Sequence, residues 1–503
     1  RMVDTAAPRR PAGGASHAHS PARGSRDVRR PAAIGIARIA ASLVGVAHHQ
    51  GTALPGMAAE RLWPGALSAL AGQLGSTVLV VGTNGKTTTA GLIAEIVKQA
   101  DGRPIANRSG ANMRQGIVTS LVAESDLHGR LRAVDHAPRG AVFEVDELAL
   151  EQILPELGPS VIVATNLFRD QLDRYGEADA VIDRWAAALE TAAEGSQLVY
   201  CADDPRLAML ASGTLLPTLT FGLAGAPAGR QPGTDSSDPV ADPVACRTCG
   251  QQLVYAWRSV GHLGAFACPD GHLRRRDPDV AVEWLPETAR TDANATTPIG
   301  ADLRFTGRFG AATARPALSG LTNAYNAAAA ITAGVALGHE IARSAAAIEG
   351  FVGPFGRLER LEIDGRHVVL VLIKNTVSLA ETVHLAPSLG ADVVLLALND
   401  APADGRDVSW IWDAPIAALV ADRAVVLSGA RATDLRLRLR YDADVSASPP
   451  SSIAMSSSLA DGLTAALART PRGGTVVAAA TYTAMMGLRT IAERRGDAAP
   501  APR

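Results

Sequence analysis

Lysine is nearly absent from this chain, since Lys86, Lys98 and Lys374 are the only lysines among 48 basic residues. Acidic residues number 50, so the formal net charge is −2 at pH 7. Proteins that bind nucleic acid usually carry a basic excess on the binding face, and this chain has none overall. We therefore expect no nucleic-acid partner, and the position of each lysine becomes informative.

Cysteine and long apolar runs are also scarce. The chain has four cysteines, and three of them cluster at Cys246, Cys249 and Cys268. Such clustering favours a metal site in a reducing compartment over a disulfide scaffold, so we expect a cytoplasmic protein. The apolar stretch 32–47 is interrupted by Arg38 and is shorter than the roughly 20 residues of a membrane span. It predicts a helix that lies on the protein or on a membrane surface, and no transmembrane segment.

Composition divides the 503 residues into two folded units with tails. Arg, Pro, Ala, Gly and Ser dominate residues 1–31, which are too poor in large apolar side chains to order and are predicted to be a disordered tail. The predicted limits are a first unit at 32–354 with an insertion at about 240–280, a second unit at 355–495 and a terminal tail at 496–503.

Both units show the pattern of α/β folds. In the first, the apolar runs 77–81, 141–145, 160–166 and 197–204 alternate with stretches of helical spacing, as in 178–193 and 323–338. This alternation predicts a mainly parallel sheet. In the second, strands are predicted at 367–373, 391–399, 423–429 and 474–481, and the sequence GPFGR at 353–357 predicts a hinge between the units.

The segment VLVVGTNGKTTT (78–89) joins a predicted strand to a predicted helix. A glycine-rich turn in that position presents backbone N–H groups and a helix N-terminus to phosphates. Gly82 and Gly85 permit close approach, Lys86 reaches the β and γ phosphates, and the Thr87 hydroxyl binds Mg²⁺. Val80 occupies the position of the first glycine in the strict motif, so the loop is a variant form.

This variant resembles the phosphate loop of the Mur ligase family, ATP-dependent ligases that form an acyl phosphate and couple it to an amine. FEVDE with Glu144, TNLFRDQLDRYGE (165–177), YCADDP (200–205), NAYNAAAA with Asn326 and FGRLE with Arg357 resemble further family motifs in the same order. The resemblance implies a phosphate-loop ATPase domain followed by a smaller α/β C-terminal domain. It also implies an ATP site and a Mg²⁺ site, with Thr87 and Glu144 as Mg²⁺ ligands. The implied ATP-binding residues are Gly82, Thr83, Asn84, Gly85, Lys86, Thr87, Thr88, Asn326 and Arg357.

Two departures from the common Mur ligase pattern narrow the choice of subgroup within the family. Gln171 replaces a histidine that usually serves a second metal, and no lysine stands between Lys98 and Lys374 to be carbamylated. The glutamine, the cysteine insertion and ALNDAPADGRDVSWIWD (397–413) resemble the MurT subgroup. This resemblance implies ATP-dependent amidation of the D-glutamate α-carboxyl of the lipid II stem peptide in peptidoglycan biosynthesis. It further implies that ammonia comes from a GatD-type glutamine amidotransferase partner, and that the membrane is met peripherally at its inner face.

The same resemblance implies that one aspartate of this chain completes the catalytic triad of the partner. The aspartates at 400, 404, 407 and 413 compete for that role. We favour Asp407, with Asp404 next, because the motif places the carboxylate just before Ser-Trp-Ile-Trp. The remaining aspartates are expected to cap turns, as aspartate commonly does beside glycine.

The spacing of the cysteines predicts a structural zinc ribbon. Cys246 and Cys249 form a C-x-x-C knuckle, and Cys268 follows after a spacing typical of such ribbons. We expect His272 to be the fourth ligand, with His262 as the alternative. The alternative is a degenerate ribbon that has lost its metal and contains three free thiols.

Three other functions remain open from the sequence. A folylpolyglutamate-like amide ligase would share the phosphate loop without needing a glutaminase. A degenerate ligase acting as a scaffold would have lost ATP turnover, although Lys86 and Glu144 are intact. A nucleic-acid-binding ribbon would have to rely on the small basic run at 274–276.

Overall fold

The computed structural model describes residues 29–46, 53–107, 111–133, 138–170, 178–227, 243–285, 302–318, 320–353, 357–387 and 389–495. The predicted tail up to residue 28, the centre of the predicted hinge at 354–356, and residues 496–503 lie outside this part. Within it, no helix combines the length and the apolar character that crossing a bilayer requires.

The N-terminal unit is built on a nine-stranded sheet. Its helices are α1 Arg29–Val46, α2 Leu54–Leu62, α3 Ala66–Ala71, α4 Lys86–Asp101, α5 Arg114–Ala123, α6 Leu150–Leu157, α7 Ala178–Leu189, α8 Pro205–Gly213, α9 Leu321–Ala336 and α10 Ile341–Ala347. Its strands are β1 Thr77–Val81, β2 Ile105–Ala106, β3 Ala141–Glu144, β4 Val161–Ala164, β5 Gln197–Cys201, β6 Thr218–Leu223, β7 Val254–Arg258, β8 Gly264–Ala267, β9 Val280–Leu285, β10 Asp302–Gly307 and β11 Gly310–Ala314.

The strand order in this sheet is β11-β10-β9-β6-β5-β4-β1-β3-β2. Strands β1 to β6 run parallel with their neighbours, as predicted, and β9 runs parallel with β6. Strands β10 and β11 add an antiparallel edge next to β9 that the sequence pattern did not reveal. Every residue of β1 is buried, as expected of a parallel strand covered on both faces. Strands β7 and β8 form a separate antiparallel hairpin inside the cysteine-bearing insertion.

Helix α1 packs against the protein through Ala33, Ile34 and Ala37, which are fully buried. It begins at Arg29, so residues 29–31 belong to the helix and the predicted tail limit at 31 is three residues too late. Ile36 and Ile39 on the same helix are exposed.

The C-terminal unit contains a six-stranded sheet of order β12-β13-β17-β14-β15-β16. Its strands are β12 Arg357–Ile363, β13 Arg366–Leu372, β14 Ala391–Ala397, β15 Ala424–Ser428, β16 Ser452–Met455 and β17 Thr475–Ala480. Its helices are α11 Thr376–Leu385, α12 Ile416–Val420, α13 Ala432–Tyr441, α14 Ala443–Ala447, α15 Leu459–Arg469 and α16 Tyr482–Arg495, with a 3₁₀ helix at Ser409–Trp412. The four strands predicted in this unit are confirmed within a few residues.

Candidate functional site

The phosphate loop lies between the end of β1 at Val81 and the start of α4 at Lys86. Gly85 caps α4 in a left-handed conformation (φ +84°), and a Cβ there would lie 2.0 Å from Asn326 Oδ1. Gly82 has φ +134°, and its Cβ would lie 2.1 Å from Thr165 Oγ1. A side chain fits neither position, and the loop ends at a helix N-terminus, where anions bind.

The end of β4 fixes the shape of this loop. Asn166 Oδ1 accepts a hydrogen bond from Asn84 N (2.8 Å), and Asn166 Nδ2 donates to Asn84 O (3.0 Å). Thr83 N donates to Asn166 O (2.9 Å), while Phe168 N donates to Thr83 Oγ1 (3.0 Å). Asn166 and Phe168 of TNLFRD thus hold the loop in place.

Lys86 is almost fully buried at the centre of the loop. Its Nζ donates to Gly82 O (2.5 Å) and to Glu147 Oε1 (2.8 Å). Burial alone would lower the pKa of Lys86, but Glu147, Glu144 and the neighbouring Asp146 outweigh it and raise that pKa. Lys86 therefore carries its full positive charge at neutral pH.

The carboxylate paired with Lys86 is Glu147, which the sequence did not single out. Glu144 ends β3, its backbone N–H donates to Asn107 Oδ1 (2.9 Å), and its buried side chain acts on Lys86 through its charge. Burial raises the pKa of Glu147 against the attraction of Lys86 and Lys374. Among the described residues, Glu147 Oε2 is buried without a hydrogen-bond partner, so this corner offers a carboxylate oxygen to a ligand.

Lys374, the third lysine, connects the C-terminal unit to the phosphate loop. Its Nζ donates to Thr83 O (2.7 Å) and to Asp170 Oδ2 (2.9 Å). The next residue, Asn375, donates from Nδ2 to Asn84 Oδ1 (3.3 Å). The scarcity of lysine was the signal that could have identified this contact. Gln171, beside Asp170, lies outside the described residues.

A cavity opens beside the loop, between the two units. Asn84 and Gly85 form its phosphate-loop side, and Tyr325 lies on another wall. The remaining wall is largely apolar, through Phe168, Val260, Leu263, Val371, Leu372, Val377 and Leu385, and it also carries the charged Lys374 and Glu381. Such a cavity suits a flat apolar group attached to phosphates on the loop.

The other predicted ATP-binding residues lie at the loop or fall outside the described side chains. Asn326 is buried on α9, and its Oδ1 accepts from Thr89 Oγ1 (3.3 Å). Thr87 is half-buried in the first turn of α4, next to the buried Thr88. Arg357 begins β12, and its side chain is outside the described part.

The carboxylate stretch 400–413 contains four aspartates in different environments. Asp404 is buried, with Oδ1 accepting from Thr483 N (2.7 Å) and Oδ2 accepting from Thr483 Oγ1 (2.5 Å) and Ala401 N (3.1 Å). Asp407 is partly exposed, and its Oδ1 accepts from Ser409 N (2.8 Å) at the start of the 3₁₀ helix. Asp400 pairs with Arg431 (3.1 Å). Asp404 is thus committed to structure, whereas Asp407 is open to an external group.

This stretch is joined to the inter-unit site. Thr376 Oγ1, two residues after Lys374, donates to Trp410 O (3.2 Å) in the 3₁₀ helix. Trp410 is half-buried, while the Trp412 side chain is exposed beneath the guanidinium of Arg438. An exposed tryptophan beside the exposed Asp413 and the partly exposed Asp407 is typical of an interface anchor.

The cysteine cluster brings four donors together. The donor atoms of Cys246, Cys249, Cys268 and His272 all lie within 4.8 Å of one another. The Cys249 and Cys268 sulfurs are 3.5 Å apart, and the Cys268 sulfur lies 3.7 Å from His272 Nδ1. Four zinc ligands in a tetrahedron stand at about this separation. A hydrogen bond from the backbone of Cys249 lowers the pKa of Cys246 to about 6, which favours a thiolate.

His262, the alternative ligand, lies elsewhere. It is fully buried, with Nε2 3.3 Å from Asp204 Oδ1 and Nδ1 3.1 Å from the guanidinium of Arg206. Its imidazole contacts Asp204 and Arg206 of the region around the motif YCADDP and lies outside the group of four donor atoms. His262 is therefore not the fourth ligand of the cysteine cluster.

Comparison with known proteins gives the family. Residues 80–236 match the Mur ligase middle domain, and residues 372–485 match the MurT ligase C-terminal domain. The lipid II isoglutaminyl synthase (glutamine-hydrolyzing) subunit MurT of Staphylococcus aureus is 30% identical over 418 residues, which is 82% of this chain and 88% of that protein. The subunit of the same name from Streptococcus pneumoniae is 31% identical over 73% of this chain and 76% of its own length.

The fold is also found among solved structures. A pseudomurein peptide ligase type C from Methanothermus fervidus superposes with a TM-score of 0.63 at 17% identity, covering 84% of this chain and 79% of the other. At that identity the likeness concerns the fold, which is the α/β fold of Mur ligases. Together with the relatives, which are matched over most of their length, it shows that the chain belongs to the MurT family of Mur ligase-like proteins.

Proposed function

We propose that this chain amidates the α-carboxyl of D-glutamate in the lipid II stem peptide, using ATP and ammonia delivered by a GatD-type glutaminase subunit. The observation that carries the proposal is the phosphate loop, where Lys86 and Lys374 converge from the two units. The relatives from Staphylococcus aureus and Streptococcus pneumoniae are lipid II isoglutaminyl synthase subunits MurT, which supports the substrate and the reaction class.

The chemistry follows from the arrangement of positive charge. In the first step the substrate carboxylate attacks the γ-phosphorus of ATP, an acyl phosphate forms and ADP leaves. In the second step ammonia attacks the acyl carbon, phosphate leaves, and the amide is formed after loss of a proton. The loop amides and Lys86 neutralise the transferring phosphoryl group, and Lys374 adds a second cation from the opposite unit.

The residues around Lys86 fit a Mg²⁺ site. Thr87 supplies a hydroxyl, Glu144 and Glu147 supply carboxylates, and the buried Glu147 Oε2 lacks a partner among the described residues. Hard cations prefer such oxygen ligands. Mg²⁺ would screen the charge of the β and γ phosphates, while the chain itself positions the nucleotide.

The glutaminase nucleophile has to come from a partner. Cys201 is buried, and burial raises its pKa well above the ordinary value, so it is a poor nucleophile. The other three cysteines belong to the cluster with His272. Asp407 is the group that we assign to the partner's triad, where a carboxylate orients the histidine and stabilises its charged form.

The remaining assignments complete the proposal. Cys246, Cys249, Cys268 and His272 hold a structural Zn²⁺, which makes the insertion a zinc ribbon. The catalytic ATPase domain spans 29–354, with its start corrected to the first residue of α1, and the C-terminal domain spans 355–495. Because lipid II is a membrane lipid, the chain meets the inner membrane face peripherally, with the exposed Ile36 and Ile39 of α1 on the hydrophobic side of that contact.

The proposal is tested by incubating lipid II with this chain, a GatD-type partner, ATP and glutamine, and by mass spectrometry of the product. We expect amidation that needs ATP and both proteins. Ammonium at high concentration is expected to replace glutamine and the partner's glutaminase activity. Absence of amidation with either nitrogen source would contradict the proposed acceptor, and a folylpolyglutamate-like ligase would amidate no lipid II.

A further inference from the structure

The loop between β7 and β8, residues 259–263, is here called the hairpin tip. It belongs to the cysteine-bearing insertion, yet it lies at the cavity beside the phosphate loop. Val260 and Leu263 line that cavity together with Asn84 and Gly85, and both are nearly buried, with exposed fractions of 4% and 2%. An insertion that served as a separate module would leave its tip in solvent.

Buried polar contacts fix the hairpin tip to the N-terminal unit. Ser259 Oγ lies 2.7 Å from the hydroxyl of Tyr325, which donates to Asp203 Oδ2 (2.5 Å). Arg275, after β8, donates from Nε to Asp203 Oδ1 (2.7 Å). Asp203 is fully buried, and Tyr325 lines the same cavity as the hairpin tip. The tip is thus held on the wall from which Tyr325 faces the cavity.

A second set of contacts leads from the hairpin tip to the phosphate loop. The His262 ring packs on Phe168, with ring centroids 4.7 Å apart. Phe168 N donates to Thr83 Oγ1 (3.0 Å), and Thr83 is a loop residue. A shift of the hairpin tip would therefore disturb both the cavity wall and the loop.

The cysteine cluster lies at the opposite end of the same hairpin. Cys246 and Cys249 precede β7, and Cys268 directly follows β8. At about 3.3 Å per strand residue, the cluster is roughly 15 Å from the hairpin tip. A metal ion bound there would join the start of β7 to the end of β8. It would thereby hold the two strands together and fix the position of the tip between them.

We propose that the hairpin tip is a nucleotide-binding element, in which Val260 and Leu263 pack against the nucleoside of ATP while the metal-loaded cluster holds them there. The proposal rests on the ATP site of the proposed function. It assigns the insertion a part in substrate binding in addition to its metal.

The test is nucleotide affinity, measured by calorimetric titration of the full chain with ADP and Mg²⁺. Val260→Ala and Leu263→Ala each remove apolar contact area and are expected to weaken binding by about three- to tenfold. Val254→Ala is the matched control, because Val254 lies on β7 with 55% exposure. Val260→Thr keeps the side-chain volume but makes the side chain less apolar. It serves as the second test of this position if the alanine variants impair folding. Metal content and circular dichroism report on the fold of each variant.

The second part of the test removes the metal. The unaltered protein, stripped of metal by a chelator, is expected to bind ADP at least threefold more weakly than the metal-loaded protein. By reciprocity, ADP is expected to raise the affinity of the cluster for metal by the same factor, measured by equilibrium competition with a chromogenic chelator. Unchanged ADP affinity in the tip variants or in the stripped protein would overturn the inference while leaving the ATP site intact. Failure of the unaltered protein to bind ADP would overturn the proposed function as well.

Discussion

The phosphate loop and the carboxylate stretch 400–413 differ in how far the chain's own side chains complete them. Asn166, Asn326 and Lys374 surround the loop from three other parts of the chain, and Lys86 is paired with Glu147. In the carboxylate stretch, Asp404 is satisfied by Thr483, whereas Asp407 is partly exposed with one oxygen on Ser409 N. Under the proposed function, this difference fits a chain that assembles its own nucleotide site and leaves the nitrogen-delivery side to a partner.

The largest effect is expected at the completed site. Lys86→Ala removes the buried cation that faces the transferring phosphoryl group under the proposed function, and it leaves Glu147 buried without its partner. We expect ATP turnover and amidation to fall by about 10³-fold or more. The measurement is phosphate release together with mass spectrometry of lipid II.

Lys98→Ala is the matched control for Lys86→Ala. Lys98 is exposed and pairs with Glu95 on the surface of α4, a contact of little energetic weight. Its turnover should equal that of the unaltered protein. Native turnover in the Lys86 variant would remove the phosphate loop from the mechanism.

Lys374→Ala tests whether the C-terminal unit completes the loop. Loss of the contacts to Thr83 and Asp170 removes a cation and weakens the closure of the two units. We expect the kcat for ammonium-dependent amidation to fall by about 10- to 100-fold. An unchanged kcat would mean that the nucleotide site is complete within the N-terminal unit alone.

Removal of one metal ligand tests the insertion. The unaltered protein is expected to hold one equivalent of zinc, and Cys249→Ser to lose most of it and to melt several degrees lower, because metal binding contributes to folding. Cys201→Ser, outside the cluster, should retain the zinc. Purified protein without stoichiometric zinc would contradict the ribbon assignment.

The smallest effect is expected from the motif YCADDP, away from the phosphates. Burial alone would raise the pKa of Asp204, but His262, the Leu167 N–H and Arg206 outweigh it and lower that pKa. The charged form therefore stabilises the fold at neutral pH, and this stability is lost as pH falls below about 4.

Asp204→Asn keeps the shape and removes the charge. We expect it to lower the free energy of unfolding by about 1–3 kcal/mol at pH 7, and by less at pH 3. Urea unfolding at the two pH values measures both differences. An equal loss at both values would show that the charge of Asp204 contributes nothing to stability.

Much of this molecule follows from local sequence patterns. Buried apolar runs predicted the parallel strands, and GTNGKTTT predicted the loop because the strand, the turn and the helix are adjacent in the chain. Lys374 was noticed for its rarity, but its contact with Thr83 joins residues 291 apart, and no local pattern encodes that distance.

Where the sequence pattern could not separate two candidates, two similar residues stood close together. Glu144 and Glu147 share the motif FEVDE, and the turn after β3, which places Glu147 at Lys86, was not visible in the pattern. Asp404 and Asp407 likewise lie close together in the chain, and Thr483, 79 residues from Asp404, distinguishes their environments. The antiparallel strands β10 and β11 were missed because neither has a long apolar run: the side chains of β10 alternate between exposed and buried, and those of β11 are mostly exposed.

The central claim, that the nucleotide site is complete and the nitrogen site is shared, is tested most directly by Asp407→Asn in the assembled complex. Amidation of lipid II is measured with glutamine and, separately, with ammonium, with the exposed Asp413→Asn as the matched control. The account predicts a fall of about 10²- to 10⁴-fold with glutamine and an unchanged rate with ammonium. An equal loss with both nitrogen sources, or no loss with glutamine, would contradict it.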